Sequence, residues 1–158
     1  MKEPNKVRGF SLIELLIVVA VILIISAIAI PNLLRSKMSA NEASAVGSLK
    51  ALNEACITYS STYSIGFPLA LNYLGPGVPT SKTAAGLVDS LLAGGSKSGY
   101  QIRYVSGAPS AGQVRTYTLS ASPTVVGKTG QRYFFTDQTG VIRQNLSGAA
   151  SSSSTPIK

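Results

Sequence analysis

Polar residues almost vanish between Phe10 and Ile30, where only Ser11, Glu14 and Ser26 interrupt an apolar run. As an α-helix this run of 21 residues measures roughly 31 Å at about 1.5 Å per residue, close to the thickness of a bilayer core. Further along, the pattern becomes one-sided. Val46, Leu49, Leu52, Cys56, Tyr59 and Tyr63 recur at spacings of 3, 3, 4, 3 and 4, an apolar stripe on a helix. Asn41, Ser48, Lys50 and Glu54 read as the opposite side, with Lys50 and Glu54 at i,i+4. One long helix is predicted from about residue 11 to about residue 61, apolar all round in its first half and amphipathic in its second. The change of pattern puts the membrane exit near Arg35 and Lys37, with a globular part packed on the second half.

Gly66 and Pro68 end the helical pattern, and Gly75-Pro76-Gly77 and Pro79 mark turns. The stretch 83–95 reads as a short helix with Leu87, Leu91 and Leu92 inward and Gly94-Gly95 as its stop. Strands follow. In 100–106, Tyr100, Ile102 and Tyr104 share a face; in 114–122, Arg115, Tyr117 and Leu119 do. With 132–137 and 141–145 these make a four-stranded antiparallel meander whose last hairpin turns at Gln138-Thr139-Gly140. Asp137 and Gly140 suit that turn, the carboxylate by bonding N–H groups two residues on and the glycine by accepting positive φ. The tail, 147–158, is Ser-rich without apolar periodicity and is expected to be disordered.

Charge and composition narrow the chemistry. The 158-residue chain carries a formal charge of +8. From Pro31 on there are eleven Lys/Arg against four Asp/Glu, scattered singly, which reads as a solvated basic surface. The single cysteine, Cys56, allows no intramolecular disulfide and reads as a buried small hydrophobe. Without histidine, histidine catalysis and the common zinc sites are excluded. No nucleophile–base or acid pair has a recognisable spacing, so an enzyme is not expected. Gly127-Lys128-Thr129 has the end of a phosphate loop but neither its earlier glycine, Ser122 standing there, nor a following helix. A DNA-binding patch would need Arg103, Arg115, Arg132 and Arg143 to face outward with Tyr100, Tyr104, Tyr117 and Tyr133, and Arg103 alternates against Tyr100 and Tyr104 in its own strand.

The N-terminal run has the basic flank of an export signal in Lys2, Lys6 and Arg8, with only Glu3 opposing. It exceeds the about 7–15 apolar residues of a removable signal, and no clean small-residue cleavage site follows it. Positive charge before the run favours a cytoplasmic start and an exported C-terminal part. Glu14 then demands an explanation, since an acid at the centre of a membrane helix costs about 2.5–3.5 kcal/mol. No base lies within the run. Its partner must be water, a neighbouring chain or a chain terminus, and a cut at Gly9–Phe10 would create such an amine.

Arg8-Gly9-Phe10-Ser11-Leu12-Ile13-Glu14-Leu15 resembles the class III signal of type IV prepilins and pseudopilins, and Phe134-Phe135-Thr136-Asp137-Gln138-Thr139-Gly140-Val141-Ile142-Arg143 resembles the end of many of their heads. The resemblance implies removal of residues 1–9 by a prepilin peptidase, N-methylation of Phe10, and a role for Glu14 in placing an incoming subunit. It implies that Pro31, which removes the bond to the Ala27 carbonyl, lets the helix bend or melt on assembly. It implies no cofactor. The expected partners are the inner membrane before assembly, an assembly platform of a pilus or secretion system, and further copies of the same chain in a helical homopolymer. Major pseudopilins of type II secretion often hold calcium in a C-terminal loop, but Asp137 is the one acid after Asp89 here. The expected class is α+β and pilin-like. Residues 10–34 form the transmembrane and assembly helix, and residues 35–146 an amphipathic helix with a small antiparallel sheet head. The fibre could be a surface pilus or a short pseudopilus, with a minor adhesive or DNA-binding subunit as a third reading.

Overall fold

The computed structural model describes residues 9–157. The basic leader residues Lys2, Lys6 and Arg8 lie outside the described residues. The elements run in the order α1 (Leu12–Tyr63), a 3-10 turn (Leu71–Leu74), α2 (Ser90–Ala93), β1 (Ser96–Lys97), β2 (Tyr100–Ser106), β3 (Tyr117–Pro123), β4 (Tyr133–Asp137), β5 (Arg143–Asn145) and β6 (Thr155–Pro156). The expected α+β class, one long N-terminal helix with an antiparallel sheet, is borne out. The chain divides into two compact units, one up to Ser36 and one from Lys37 on.

In the second unit the part of α1 beyond Lys37 buries one face. Ala45, Leu49, Leu52, Cys56 and Tyr59 enter the core, as the stripe predicts, with Val46 and Tyr63 half-buried at its margins. Ser48, expected outside, is buried too, its small hydroxymethyl group lying on the same face as Ala45 and Leu52. The sheet completes the core. Tyr100 and Ile102 from β2, Tyr117, Leu119 and Ala121 from β3, and Phe134 from β4 alternate inward. This is the period-two pattern of a sheet with one covered face.

All strands are antiparallel and each pairs with its sequence neighbour, in the order β1-β2-β3-β4-β5-β6. Ile102 stands opposite Ala121, and Ala121 opposite Phe134, so the inward residues form continuous cross-strand rows. Two glycines fit close approaches. Gly66, at φ +81°, lies against the Val114 backbone, where a Cβ would collide with the carbonyl. A Cβ on Gly130 would occupy the space of the Tyr100 hydroxyl, which donates to the Arg132 carbonyl at 2.8 Å.

Several expected elements differ. The sheet has two further strands, β1 and β6, each only two residues long and so without a readable alternation. The helix expected over 83–95 shrinks to Ser90–Ala93. Gly86 adopts φ +68°, and the Asp89 carboxylate caps the Leu92 N–H at 2.8 Å, so the helix cannot begin earlier. Leu92 is buried but Leu91 is exposed. Arg115 precedes β3 and is exposed, not sharing the face of Tyr117 and Leu119.

The Ser-rich tail departs most from expectation. Instead of being disordered it returns to the sheet, where Thr155 and Pro156 pair with Gln144 and Arg143. The Ile157 N–H donates to the Ile142 carbonyl at 2.9 Å and its side chain packs against the core. Arg143 Nη1 donates to the Ser154 carbonyl at 3.0 Å. One apolar residue and a few backbone bonds suffice to order a segment whose composition reads as solvated.

Candidate functional site

The first unit is the apolar part of α1. An 18-residue window within this helix has mean hydropathy 3.1 and none of it is buried. Phe10 is 86% exposed and the large side chains after it stay open through Leu34. The helix is long and apolar enough to cross a membrane.

At its start, Glu14 is not idle. The Ser11 N–H donates to Glu14 Oε2 at 2.8 Å, and the Leu15 N–H reaches the Ser11 carbonyl at 3.3 Å. Ser11 therefore stands at the N-cap with the acid three residues on, the spacing of a capping box. In hydrocarbon an unsatisfied backbone N–H costs several kcal/mol, so this bond offsets part of the cost of placing an acid there. Gly9 is exposed, and a Cβ there would meet nothing within 4 Å. Among the described residues, no packing contact requires glycine at that position. Pro31 lies inside α1, and the helix continues past it. One residue on, Asn32 Nδ2 donates back to the Ile28 carbonyl at 3.1 Å.

In the second unit the sequence reading missed two polar clusters. The first joins α1 to the segment before β4. Glu42 Oε1 accepts the N–H groups of Gln131 and Arg132 at 2.8 and 3.2 Å, and Glu42 Oε2 accepts Arg132 Nε at 2.7 Å. Arg132 Nη1 reaches Gln144 Oε1 at 3.0 Å, and Asn41 Nδ2 donates to the Thr129 carbonyl at 2.9 Å. Burial pushes the Glu42 carboxyl up, but the Gln131 and Arg132 N–H donors and the guanidinium together hold it below its ordinary value. The second cluster lies inside the core. Asn53 Nδ2 donates to Thr136 Oγ1 at 3.0 Å, and the Tyr117 hydroxyl donates to Asn53 Oδ1 at 3.0 Å. Neither was legible because each joins residues more than sixty positions apart; the one local hint was an acid and an amide on otherwise apolar helix faces.

The single thiol is inert. Cys56 is buried and burial pushes its pKa up to about 12. Asp137 serves the turn, its Oδ1 accepting the Thr139 N–H at 2.9 Å and hydroxyl at 2.6 Å, while Gly140 takes φ +75°. The arginine–tyrosine patch considered for DNA does not form on one face. Tyr100 and Tyr117 are buried, the Tyr104 hydroxyl donates to the Pro68 carbonyl at 2.6 Å, and Arg132 is held by Glu42.

Residues 4–30 match the prokaryotic N-terminal methylation motif, a stretch that contains Gly9, Phe10 and Glu14. The chain is similar to the type II secretion system core protein G of Escherichia coli K12, 34% identical over 59 residues, 37% of this chain and 41% of that protein. It is also similar to the type IV major pilin protein PilA of Myxococcus xanthus, 52% identical over 48 residues, 30% of this chain and 22% of that one. The type IV wide pilus major component PilA4 of Thermus thermophilus is 57% identical over 35 residues, 22% of this chain and 27% of that one. The aligned part spans less than half the length of each of these relatives. No solved structure matches the chain. The N-terminal segment is thus similar to those of type IV pilins and of a type II secretion core protein, and the α+β architecture is pilin-like.

Proposed function

We propose that this chain is a structural subunit that is processed at Gly9–Phe10 and polymerised into a helical fibre through its apolar helix. In this reading residues 1–9 are a leader removed by a prepilin peptidase, and the new Phe10 amine is methylated. The carrying observation is the run after Phe10, apolar on every side, with none of the window buried and one acid, Glu14, near its start. Such a surface is stable only in lipid or against other apolar helices. The subunit moves from the first to the second: anchored in the inner membrane as a precursor, then packed in the fibre. Glu14 orients the incoming subunit through the amine of a neighbour, and Pro31 supplies the place where the helix bends or melts. The work is mechanical, driven by an assembly platform.

A subunit of the short fibre of a secretion system is the second reading, favoured by the alignment to type II secretion core protein G. Mass spectrometry of the mature chain tests processing: an N-methylated Phe10 terminus is expected, and an intact leader defeats both readings. Electron microscopy of sheared cells separates them, long surface fibres containing this chain supporting the pilus and their absence beside methylated, membrane-held subunits supporting the secretion fibre.

A further inference from the structure

Two exposed patches at opposite ends of β3 complement each other. The strand runs from Tyr117, opposite Ser106, to Pro123, opposite Tyr100. Beyond Pro123 the chain turns at 125–130, and the tip leaves Val125 and Val126 exposed at 45% and 60%, with Lys128 exposed beside them. This tip is held in shape. The Gly127 N–H donates to the Gly130 carbonyl at 2.9 Å, the Lys128 and Thr129 N–H groups donate to the Val125 carbonyl at 3.1 and 2.9 Å, and Asn41 fixes Thr129. No bond in the turn uses the valine side chains.

At the other end of β3 a groove of about 380 Å³ opens on the sheet face turned away from the core. Val105, Thr118, Phe135, Asp137, Gln138 and Ser152 are among the residues that line it. Val105 is 47% exposed. Among the described residues Asp89 pairs with Lys97 and Glu42 with Arg132, whereas Asp137 has no cation within 4.0 Å. One end thus offers an apolar tip with a base, the other a groove of mixed lining that presents Val105 and Phe135 beside an acid. They are separated by the length of the strand, about 20 Å.

We propose that the Val125–Val126 tip of one copy seats in the Val105–Phe135 groove of a second copy, with Lys128 against Asp137. This rests on the polymer reading above and adds a contact between heads to it. The surfaces differ and lie at opposite ends of one strand, so each copy uses both. Such a heterologous contact propagates along a fibre wherever the rotation between copies does not close a ring, as in the helical polymer read above. The prefolded tip lowers the ordering cost of docking. An anionic lipid surface would satisfy Lys128 but would leave the groove and Asp137 without a partner, which is why the second copy is the occupant.

The test uses the full chain assembled in cells, with Val126→Cys and Val105→Cys combined, since Cys56 is buried and inert. Oxidation of sheared fibres should give a ladder of cross-linked multimers for the double variant and none for either single variant. Lys128→Glu should lower fibre yield several-fold. Val126→Cys alone should react at least tenfold more slowly with a water-soluble maleimide in fibres than in dispersed subunits. Fibres with no ladder, with undiminished yield from Lys128→Glu, or with full maleimide reactivity at position 126 overturn the contact while leaving the polymer reading intact. If the wild type makes no fibre at all, the polymer reading fails and this contact falls with it.

Discussion

Glu42 on α1 and Arg132 before β4 are 90 residues apart in sequence, yet Oε2 and Nε meet at 2.7 Å. The carboxylate is the shared acceptor for two backbone N–H groups and a guanidinium, and its side chain is only 9% exposed. This bond set ties the second half of α1 to the segment that enters β4. Replacing Glu42 by Ala leaves those donors without their acceptor, and about 2–3 kcal/mol of head stability should be lost. Glu42→Gln keeps an acceptor oxygen and should lose less. Urea unfolding of the full chain in detergent, followed by tyrosine fluorescence, measures both; equal stability of Glu42→Ala and wild type would show that the clasp contributes nothing.

The same pair sets an acid limit. The Glu42 carboxyl is held below its ordinary value of 4.5 in the folded chain, so the unfolded chain takes up its proton first as pH falls. The stability this group contributes is complete above its unfolded pKa and is lost as pH falls through the lower folded one. Wild type should therefore lose stability below about pH 4.5 more steeply than Glu42→Gln, which has no proton to bind. Parallel curves of unfolding free energy against pH for the two proteins would refute the assignment.

Inside the core, Asn53 bridges Tyr117 and Thr136, all three nearly inaccessible to water. Tyr117→Phe removes one donor and leaves Asn53 Oδ1 unpaired, which should cost about 1–2 kcal/mol. Asn53→Ala strands both a hydroxyl on β3 and one on β4 and should cost more, about 2–3 kcal/mol. Because the two substitutions share a bond, the double variant should be less destabilised than the sum of the singles. Strict additivity in chemical denaturation would argue that the bond is not made.

The sequence revealed the parts of this molecule that repeat at short range. The stripe from Leu49 to Tyr59 and the alternation Tyr100, Ile102, Tyr104 each declare a face within one element, and the structure turns them inward, Tyr104 only half-buried. The Gly9, Phe10, Glu14 spacing is also local; the capping bond between Ser11 and Glu14 is equally local but was not read from the sequence. What could not be read joins distant segments: Glu42 with Arg132, and Asn53 with Tyr117 and Thr136. Two-residue strands carry no period, so β1 and β6 were invisible. Serine content misled at the tail because order there comes from backbone pairing and from Ile157, not from an apolar pattern.

Glu14 has one task seen in the structure, the cap, and one proposed, the pairing with a neighbour's amine, and substitution can separate them. Its Oε2 accepts the Ser11 N–H, and a glutamine oxygen could accept the same bond without charge. Glu14→Gln and Glu14→Ala should both be cleaved at Gly9–Phe10 and inserted, and both should make at least tenfold fewer fibres if the charge pairs with a neighbour's amine. Hydrogen exchange should then distinguish them, with the first turn of α1 protected in Glu14→Gln and frayed in Glu14→Ala. Normal fibres from Glu14→Gln would assign the residue to capping alone.

The tail supplies the last test, because its two descriptions predict opposite results. A disordered segment can be deleted at no cost to the fold. The structure instead makes residues 155–157 an edge of the sheet: Thr155 pairs with Gln144, the Ile157 N–H bonds the Ile142 carbonyl, and Arg143 Nη1 reaches the Ser154 carbonyl. Removing residues 154–158 therefore exposes the edge of β5 and part of Ile142, and takes the acceptor from Arg143. About 1–3 kcal/mol of stability should go, from lost apolar burial and unmade bonds. Ile157→Asp should reproduce much of that loss with the chain length intact, since it keeps the backbone pairing and removes the packing. Limited proteolysis offers an independent reading: the wild-type tail should resist cleavage after folding, and the Ile157→Asp tail should be clipped within the Ser151–Ser154 stretch. A truncated chain as stable as wild type, or a wild-type tail cut as fast as an unfolded peptide, would return the segment to disorder.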